Sequence, residues 1–261
     1  MKLNHRSLLV ILAVLLAIAP ARAAEISVAA AADLKFAMVD LAAQFEKKTG
    51  NKVNVTYGSS GNFFSQLQNA APFDLLFSAD VDYAQKLESA GLAEAGSLYR
   101  YAVGNLALWA PADSQLDLAA GWKVLLDDRV HKIAIANPDH APYGRAAVAA
   151  LQKAGIYERV KPKLVLGDNI SQAAQFAQSD NAQLAIVALS LATSPGMRDG
   201  KRWDIPPEMH PPIEQAAVLI KNAKNKEAAR AFLDFVKTKE ARATLAKYGF
   251  TFSAPEAGET K

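Results

Sequence analysis

Residues 26–50 read ISVAAAADLKFAMVDLAAQFEKKTG, and they predict a buried strand followed by an amphipathic helix. Residues 26–30 form a short apolar run, as in a strand that is covered on both faces. From residue 34 onward the apolar side chains recur at helical spacing, on Leu34, Met38, Leu41 and Phe45. Gly50 is a typical helix C-terminus. A strand that leads directly into a helix indicates α/β layering.

The same alternation continues through the rest of the chain. Strands are predicted at residues 53–57 and 74–78, with a helix at 62–69 between them. A second set follows, with strands at 106–109, 132–136, 163–166 and 184–187, and helices at 144–154 and 170–178. A returning strand at 216–220 and helices at 226–237 and 240–248 end the chain. We predict two α/β lobes, residues 24–103 (to which residues 222–261 return) and residues 104–221.

The charge and the cysteine content exclude several classes of protein. The net charge of the 261 residues is +3, but Lys2, Arg6 and Arg22 are the charged residues that precede Glu25, so the remainder is balanced. A nucleic-acid-binding protein needs an excess of Lys and Arg to displace counterions. The chain contains no cysteine, which excludes disulfides, zinc-thiolate sites and a thiol nucleophile.

Residues 1–23 have the pattern of an export signal. A positively charged start is followed by an apolar run at residues 8–19, then by Pro20 and the small-x-small sequence 21–23. The run is shorter than the roughly 20 residues that span a bilayer. We expect cleavage after Ala23 and a periplasmic protein; the alternative is an uncleaved N-terminal anchor.

Polar residues are concentrated at four predicted strand-to-helix junctions. They are at residues 32–33, 59–61, 142–144 and 168–171. Each junction places unpaired backbone N–H groups and a positive helix end at one edge of a sheet. Two such edges that face each other across a cleft would bind a small anion. The alternative for each junction alone is an ordinary helix cap.

In these junctions and elsewhere the sequence resembles the periplasmic molybdate-binding proteins of ABC transporters, the ModA-type family. The resemblance rests on the order of seven segments: AAADLKFAM, GSSGNFFSQL, APFDLLFSAD, NPDHAPYGRAA, DNISQAAQFA, LAIVALSLA and KYGFTF. It implies a type II periplasmic binding protein, with a ligand cleft between two hinged α/β lobes. It also implies a monomer without cofactor, which binds a tetrahedral oxyanion, molybdate or tungstate, for a membrane permease.

The resemblance also implies which residues contact the anion, and all of them are neutral donors. They are the Ser60 hydroxyl and the backbone amides of Ala79, Tyr143 and Ile170. To these we add the backbone amide of Asp33, and we expect Ser59, Arg145 and Asn169 in a second layer. Such donors at helix ends hold a dianion without a fixed counter-charge. No free metal cation is expected.

Two positions depart from the pattern of the family. Asp33 stands where a serine is usual, and Ala188 stands where a tyrosine is usual. An ionised Asp33 would repel a dianion. Three explanations are open: Asp33 caps its helix, Arg145 neutralises it, or the ligand is a different oxyanion. The hydroxyl of Tyr143 is a candidate replacement for the one that Ala188 lacks.

A secreted serine hydrolase that uses Ser60 is the alternative from another class of function. GSSG is not the G-x-S-x-G nucleophile elbow, and a hydrolase needs a histidine near its serine. After the leader the histidines are His131, His140 and His210, which we expect in surface loops. Their spacing does not fit a metal site. We therefore predict a binding protein and not an enzyme.

Overall fold

A computed structural model describes residues 23–253 of the protein. Residues 1–22 of the predicted export signal lie outside the described residues. Within residues 23–253, no helix combines the length and the apolar character that a membrane span requires.

The chain forms two five-stranded mixed sheets, one in each lobe. The first has the order β2-β1-β3-β10-β4 and the second the order β7-β6-β8-β5-β9. The strands of the first sheet are β1 (Glu25–Ala31), β2 (Lys52–Gly58), β3 (Leu75–Ser78), β4 (Tyr99–Gly104) and β10 (Ile213–Leu219). Those of the second are β5 (Leu106–Ala110), β6 (Ile133–Ala136), β7 (Leu164–Gly167), β8 (Leu184–Ala188) and β9 (Lys201–Asp204). In each sheet one strand, β10 in the first and β5 in the second, runs antiparallel to both of its neighbours, and the other four strands share one direction.

Helices cover both sheets. In the first lobe they are α1 (Lys35–Thr49), α2 (Ser60–Gln68), α3 (Val81–Ser89), α8 (Lys226–Val236) and α9 (Lys239–Lys247). In the second lobe they are α4 (Pro142–Lys153), α5 (Tyr157–Val160), α6 (Ile170–Gln178) and α7 (Leu189–Ala192). Short 3-10 segments lie at Ala32–Leu34, Leu118–Leu126, Lys161–Lys163 and Pro207–Met209.

The chain crosses between the lobes at two adjacent segments. The first is Asn105, between β4 and β5, and the second is residues 205–212, between β9 and β10. Because β10 pairs with β3 and β4, it belongs to the first sheet. The predicted boundary of the second lobe at residue 221 is therefore wrong, and the sheet of that lobe ends at β9. An apolar sequence fits a buried strand in either sheet, so it does not indicate which strands are its pairing partners.

The core of the first lobe has two layers. One face of its sheet packs against α1, α8 and α9, and the other packs against α2 and α3. The last residues of β1 and the residue after it are small. Two of them, Ala31 and Ala32, pack into the core of the second lobe. Small side chains at the end of β1 thus let the lobes approach each other closely at that strand end.

Candidate functional site

A small cavity lies between the lobes, at the carboxyl ends of the parallel strands, where open α/β sheets bind ligands. It is lined by Ala31, Ala32, Asp33, Gly58, Ser59, Ser60, Ala79, Ala141, Pro142, Tyr143 and Ile170. The first lobe supplies three strand-to-helix junctions to this cavity, and the second lobe supplies two.

The first lobe contributes Ser60 and Ala79. Ser60 begins α2 and is fully buried. Its Oγ accepts a hydrogen bond from the backbone N–H of Ala79 at 2.9 Å. A hydroxyl that accepts one hydrogen bond keeps its proton for another acceptor. The hydroxyl proton of Ser60 is therefore available to an anion, and the Ala79 amide lies beside it.

The second lobe contributes two helix N-termini. α4 begins with a proline, which has no N–H, so Tyr143 carries the first amide of that helix. At the start of α6 the side chain of Asn169 accepts from the second and third amides of the helix, at 3.0 and 3.1 Å. That cap does not use the first amide, which belongs to Ile170. Both first amides lie at positive helix ends, where anions bind favourably.

Asp33 lies in a buried hydrogen-bond network on the wall of the cavity. Its Oδ2 accepts from the hydroxyl of Tyr143 at 2.9 Å and from Nε2 of Gln215 at 2.7 Å. The hydroxyl of Tyr101 donates to Oε1 of the same glutamine at 2.6 Å. Asp33 is only 1% exposed, and its Oδ1 has no hydrogen-bond partner among the described residues. One oxygen of the carboxyl group is thus satisfied and the other is not.

Burial changes the acidity of this network. It raises the pKa of the Asp33 carboxyl from its ordinary value of 3.8 to about 6, while hydrogen bonds from Gln215 and Tyr143 act in the opposite direction. Burial, together with the charge of Asp33, raises the pKa of Tyr143 and of Tyr101 well above 10. Both phenols are therefore neutral hydrogen-bond donors at physiological pH.

Hydrogen bonds join the two lobes beside the cavity. The hydroxyl of Ser171 donates to the carbonyl of Ala32 at 3.0 Å, and the hydroxyl of Ser190 donates to the carbonyl of Asp33 at 2.7 Å. The bond between Tyr143 and Asp33 also crosses from one lobe to the other. The structure is therefore a closed arrangement, in which both lobes contribute to one cavity.

Comparison with known proteins identifies the family. A profile of bacterial extracellular solute-binding proteins matches residues 26–251. The chain is 42% identical over 231 residues to the molybdate-binding protein ModA of Azotobacter vinelandii, which covers 88% of this chain and 91% of that protein. The same identity over 231 residues holds for ModA of Rhodobacter capsulatus, with 88% and 90% covered. The chain belongs to the ModA-type solute-binding proteins.

The fold of this family agrees with the structure. The periplasmic molybdate-binding protein of Azotobacter vinelandii superposes with a TM-score of 0.82 at 33% identity, covering 88% of this chain and 100% of that one. The predicted family and the predicted two-lobed α/β fold are confirmed. As a ModA-type protein, the chain is an extracytoplasmic solute-binding protein and not an enzyme.

Most of the residues predicted for the site lie together. The cavity of this ModA-type protein is lined by all five predicted contact residues, Asp33, Ser60, Ala79, Tyr143 and Ile170, and by Ser59. Ala188 ends β8, is fully buried and is not among the residues that line the cavity. The Tyr143 hydroxyl, the candidate replacement for the missing tyrosine, donates to Asp33.

Two of the three explanations for Asp33 are wrong. Its side chain caps neither the 3-10 segment in which it lies nor α1, since both begin without a side-chain cap. Arg145 does not reach it either, because its guanidinium forms an ion pair with Asp80 and lies over the ring of Tyr83. The neutral side chains of Tyr143 and Gln215 hold the Asp33 carboxyl instead.

Of the three histidines, His131 is exposed in a loop as expected, whereas His140 is half-buried and His210 departs from the expectation of surface loops. His210 is buried. Nδ1 of His140 lies 2.9 Å from Oγ of Ser59, and the backbone amide of Gly61 donates to the carbonyl of His140 at 3.0 Å. The contact is thus with Ser59, which caps α2, and not with Ser60, the nucleophile of the hydrolase alternative. His140 joins the second lobe to the first. Across residues 23–253 no cluster of three His, Asp or Glu residues could hold a metal ion.

Sequence reasoning missed Gln215 and Tyr101. Both are buried and polar, and they lie on β10 and β4, next to the crossings between the lobes. β4 itself was not predicted, nor was β9. A glutamine in the middle of an apolar strand was the available signal, because a buried polar side chain requires partners. Nothing in the local sequence indicates that its partner is Asp33, 182 residues away.

Proposed function

We propose that this chain binds a tetrahedral oxyanion, with molybdate and tungstate as the first candidates, and delivers it to a membrane permease. The observation that carries the proposal is the convergence of neutral donors from both lobes on one small cavity. The Ser60 hydroxyl and the first amides of α4 and α6 surround a space in which a dianion would meet dipoles and helix ends. Two relatives that are 42% identical are named molybdate-binding proteins, which supports the choice of anion.

Closure of the lobes would let the permease distinguish loaded protein from empty protein. An anion that contacts both lobes favours the closed form over the open one, because only the closed form makes all of its contacts. A permease that recognises the closed form would then accept loaded protein in preference to empty protein. We further propose export with cleavage after Ala23, action as a monomer and no cofactor other than the transported anion.

A calorimetric titration of the protein purified from the periplasm tests the ligand. We expect tight binding of molybdate and tungstate and much weaker binding of sulfate, which differs in size but not in charge. The mass of the same preparation tests the cleavage site. Absence of heat with molybdate at micromolar protein concentrations would contradict the assignment of the anion.

A second candidate is a different oxyanion, and the Asp33 carboxyl on the wall of the cavity favours it. A carboxylate repels a fully ionised dianion but accepts a hydrogen bond from an oxyanion that carries a proton, such as hydrogen phosphate. The titration therefore includes phosphate and chromate. Phosphate that binds more tightly than molybdate would support this second candidate.

A further inference from the structure

We propose that the oxyanion binds together with one proton, which is shared between Oδ1 of Asp33 and an oxygen of the anion. This inference rests on the proposed function, and it makes Asp33 the residue that links anion binding to pH. It concerns molybdate and tungstate, which carry no proton of their own at neutral pH. For these anions the proton comes from solvent and is taken up when the complex forms.

The geometry of the Asp33 carboxyl carries the argument. Its Oδ2 accepts two hydrogen bonds, from Tyr143 and from Gln215, whereas its Oδ1 has no partner within the described part of the chain. Asp33 lines the cavity together with Ser60 and the helix N-termini. Among the lining residues it is the one with a carboxyl group, and none of them is Lys, Arg or His. The unsatisfied oxygen is thus a carboxylate oxygen beside the neutral donors of Ser60 and the two helix N-termini.

Electrostatics decides the state of that oxygen when an anion is present. Two negative groups in one buried cavity repel each other, and like charge at close range favours the neutral form of a carboxyl. A proton on Oδ1 removes the repulsion and turns the oxygen into a donor, like the other groups around the cavity. Burial has already raised the pKa of Asp33 to about 6, so protonation requires little further change.

The sign of the pH dependence follows from these states. Below pH 6 the free site is already protonated, so the anion binds without taking up a proton. Above pH 6 the free site is ionised, and each binding event takes up a proton. Affinity therefore decreases as pH rises, by about tenfold per pH unit once ionisation of the free site is complete.

Other titratable groups lie on the elements that surround Asp33. They are Tyr57 of β2, Tyr101 of β4, Tyr143 of α4, Lys35 of α1, Glu214 of β10, the pair of Asp80 and Arg145, and His140 with Asp168 beside it. Burial raises the pKa of the Tyr57 phenol to about 12, and those of the other two phenols are well above 10. Histidine is the other residue type that titrates near neutral pH, so His140 requires a control.

Calorimetry with molybdate at pH 5.5, 7 and 8, in buffers of different ionisation enthalpy, measures the proton directly. We expect uptake that approaches one proton per anion at pH 8 and falls well below one at pH 5.5. We expect Kd to rise about tenfold between pH 7 and pH 8. Molybdate binding without proton uptake at pH 8 would overturn the inference and leave the proposed function intact. No binding at any of these pH values would instead remove the proposed function.

Two variants assign the proton to a residue. Asp33→Asn keeps an acceptor for Tyr143 and Gln215 and places an N–H donor where Oδ1 lies, so it mimics the protonated carboxyl. We expect its Kd to be independent of pH, and its affinity at pH 8 to exceed that of the wild type by on the order of 100-fold. His140→Gln should keep the wild-type slope. A slope that persists in Asp33→Asn, or disappears in His140→Gln, would overturn the assignment.

Discussion

Two sides of the cavity are built in different ways. The serine corner, Ser60 and Ala79, comes from two junctions of the same lobe that are 19 residues apart in the chain. The carboxyl corner, Asp33 with Tyr143 and Gln215, joins residues that are 110 and 182 positions from Asp33. The serine corner offers the neutral hydroxyl of Ser60 at every pH, whereas the carboxyl corner changes its charge. We therefore expect the first to contribute affinity and the second to set how affinity depends on pH.

The two corners also differ in their relation to lobe closure. The bond between Ser60 and Ala79 lies within the first lobe, so it does not require the lobes to be together. Tyr143 belongs to the second lobe, and its bond to Asp33 forms only when the lobes close. Gln215 and Gly104 lie at the two crossings between the lobes. The carboxyl corner is thus coupled to the hinge, and the serine corner is not.

The largest expected effect is on the free energy of unfolding of the anion-free protein, which the buried charge of Asp33 lowers. Because the pKa of Asp33 is about 6 in the folded protein and 3.8 ordinarily, the folded state binds more protons between these values. Wild-type stability should therefore fall as pH rises from 4 to 6, by about 3 kcal/mol relative to Asp33→Asn, and the deficit should persist above pH 6. Urea unfolding at pH 4, 5, 6 and 7 measures this difference.

The exposed Asp113 provides the matched control. Its side chain is exposed, so Asp113→Asn should follow the wild-type pH dependence. A stability difference between wild type and Asp33→Asn that stays constant from pH 4 to pH 7 would show that the carboxyl corner does not hold a titrating charge.

The next effect concerns the space at the hinge. A Cβ on Gly104 would lie 2.1 Å from the Tyr143 hydroxyl oxygen and 2.8 Å from Nε2 of Gln215, so both must move in Gly104→Ala. We expect a loss of about 2 kcal/mol in the free energy of unfolding, because overpacking a rigid site costs that much. Gly196→Ala is the control, since its nearest neighbour would be 3.9 Å away. Equal urea midpoints for the two variants would contradict this account.

The serine corner was predictable from the sequence because its parts are local. A strand, a turn with small polar residues and a helix start can be recognised within ten residues, and the same holds for the helix ends at Tyr143 and Ile170. The resemblance to a known family added which of these groups contact an anion. The four junctions indicated a common site because parallel strands place their carboxyl ends at one edge.

The carboxyl corner could not be predicted in the same way. The expected partner of Asp33 was Arg145, since charge suggests a counter-charge, but Arg145 pairs with Asp80. The actual partners, Tyr143 and Gln215, are neutral. Tyr143 comes from the other lobe, and Gln215 comes from β10, which was predicted to belong to the other lobe. Which lobe β10 joins depends on its pairing with β3 and β4, and β4 was not predicted. The partners of Asp33 therefore depend on long-range strand pairing, which the local sequence does not indicate.

A third prediction tests the bond that crosses between the lobes. Tyr143→Phe removes the hydroxyl that donates to Asp33, and this donor favours the ionised carboxyl. The pKa of Asp33 should therefore rise further, and the pH at which molybdate affinity begins to fall should rise with it. We expect a stability loss of about 1.5 kcal/mol at pH 8, where the lost bond is to a charged group, and a smaller loss at pH 5. Tyr157→Phe, on α5 outside the cavity, should change neither quantity.

The smallest expected effect tests the serine corner, and its value lies in what stays unchanged. Ser60→Ala removes one neutral hydroxyl, worth about 1 kcal/mol or roughly fivefold in molybdate affinity. Because no charge changes, the loss should be the same at pH 5.5 and at pH 8, with proton uptake as in the wild type. Ser65→Ala, on the exposed side of the same helix, should bind normally. If Ser60→Ala instead abolished the pH dependence of molybdate affinity, the two corners would act as one unit. The separate roles given to them, affinity for the serine corner and pH dependence for the carboxyl corner, would then be wrong.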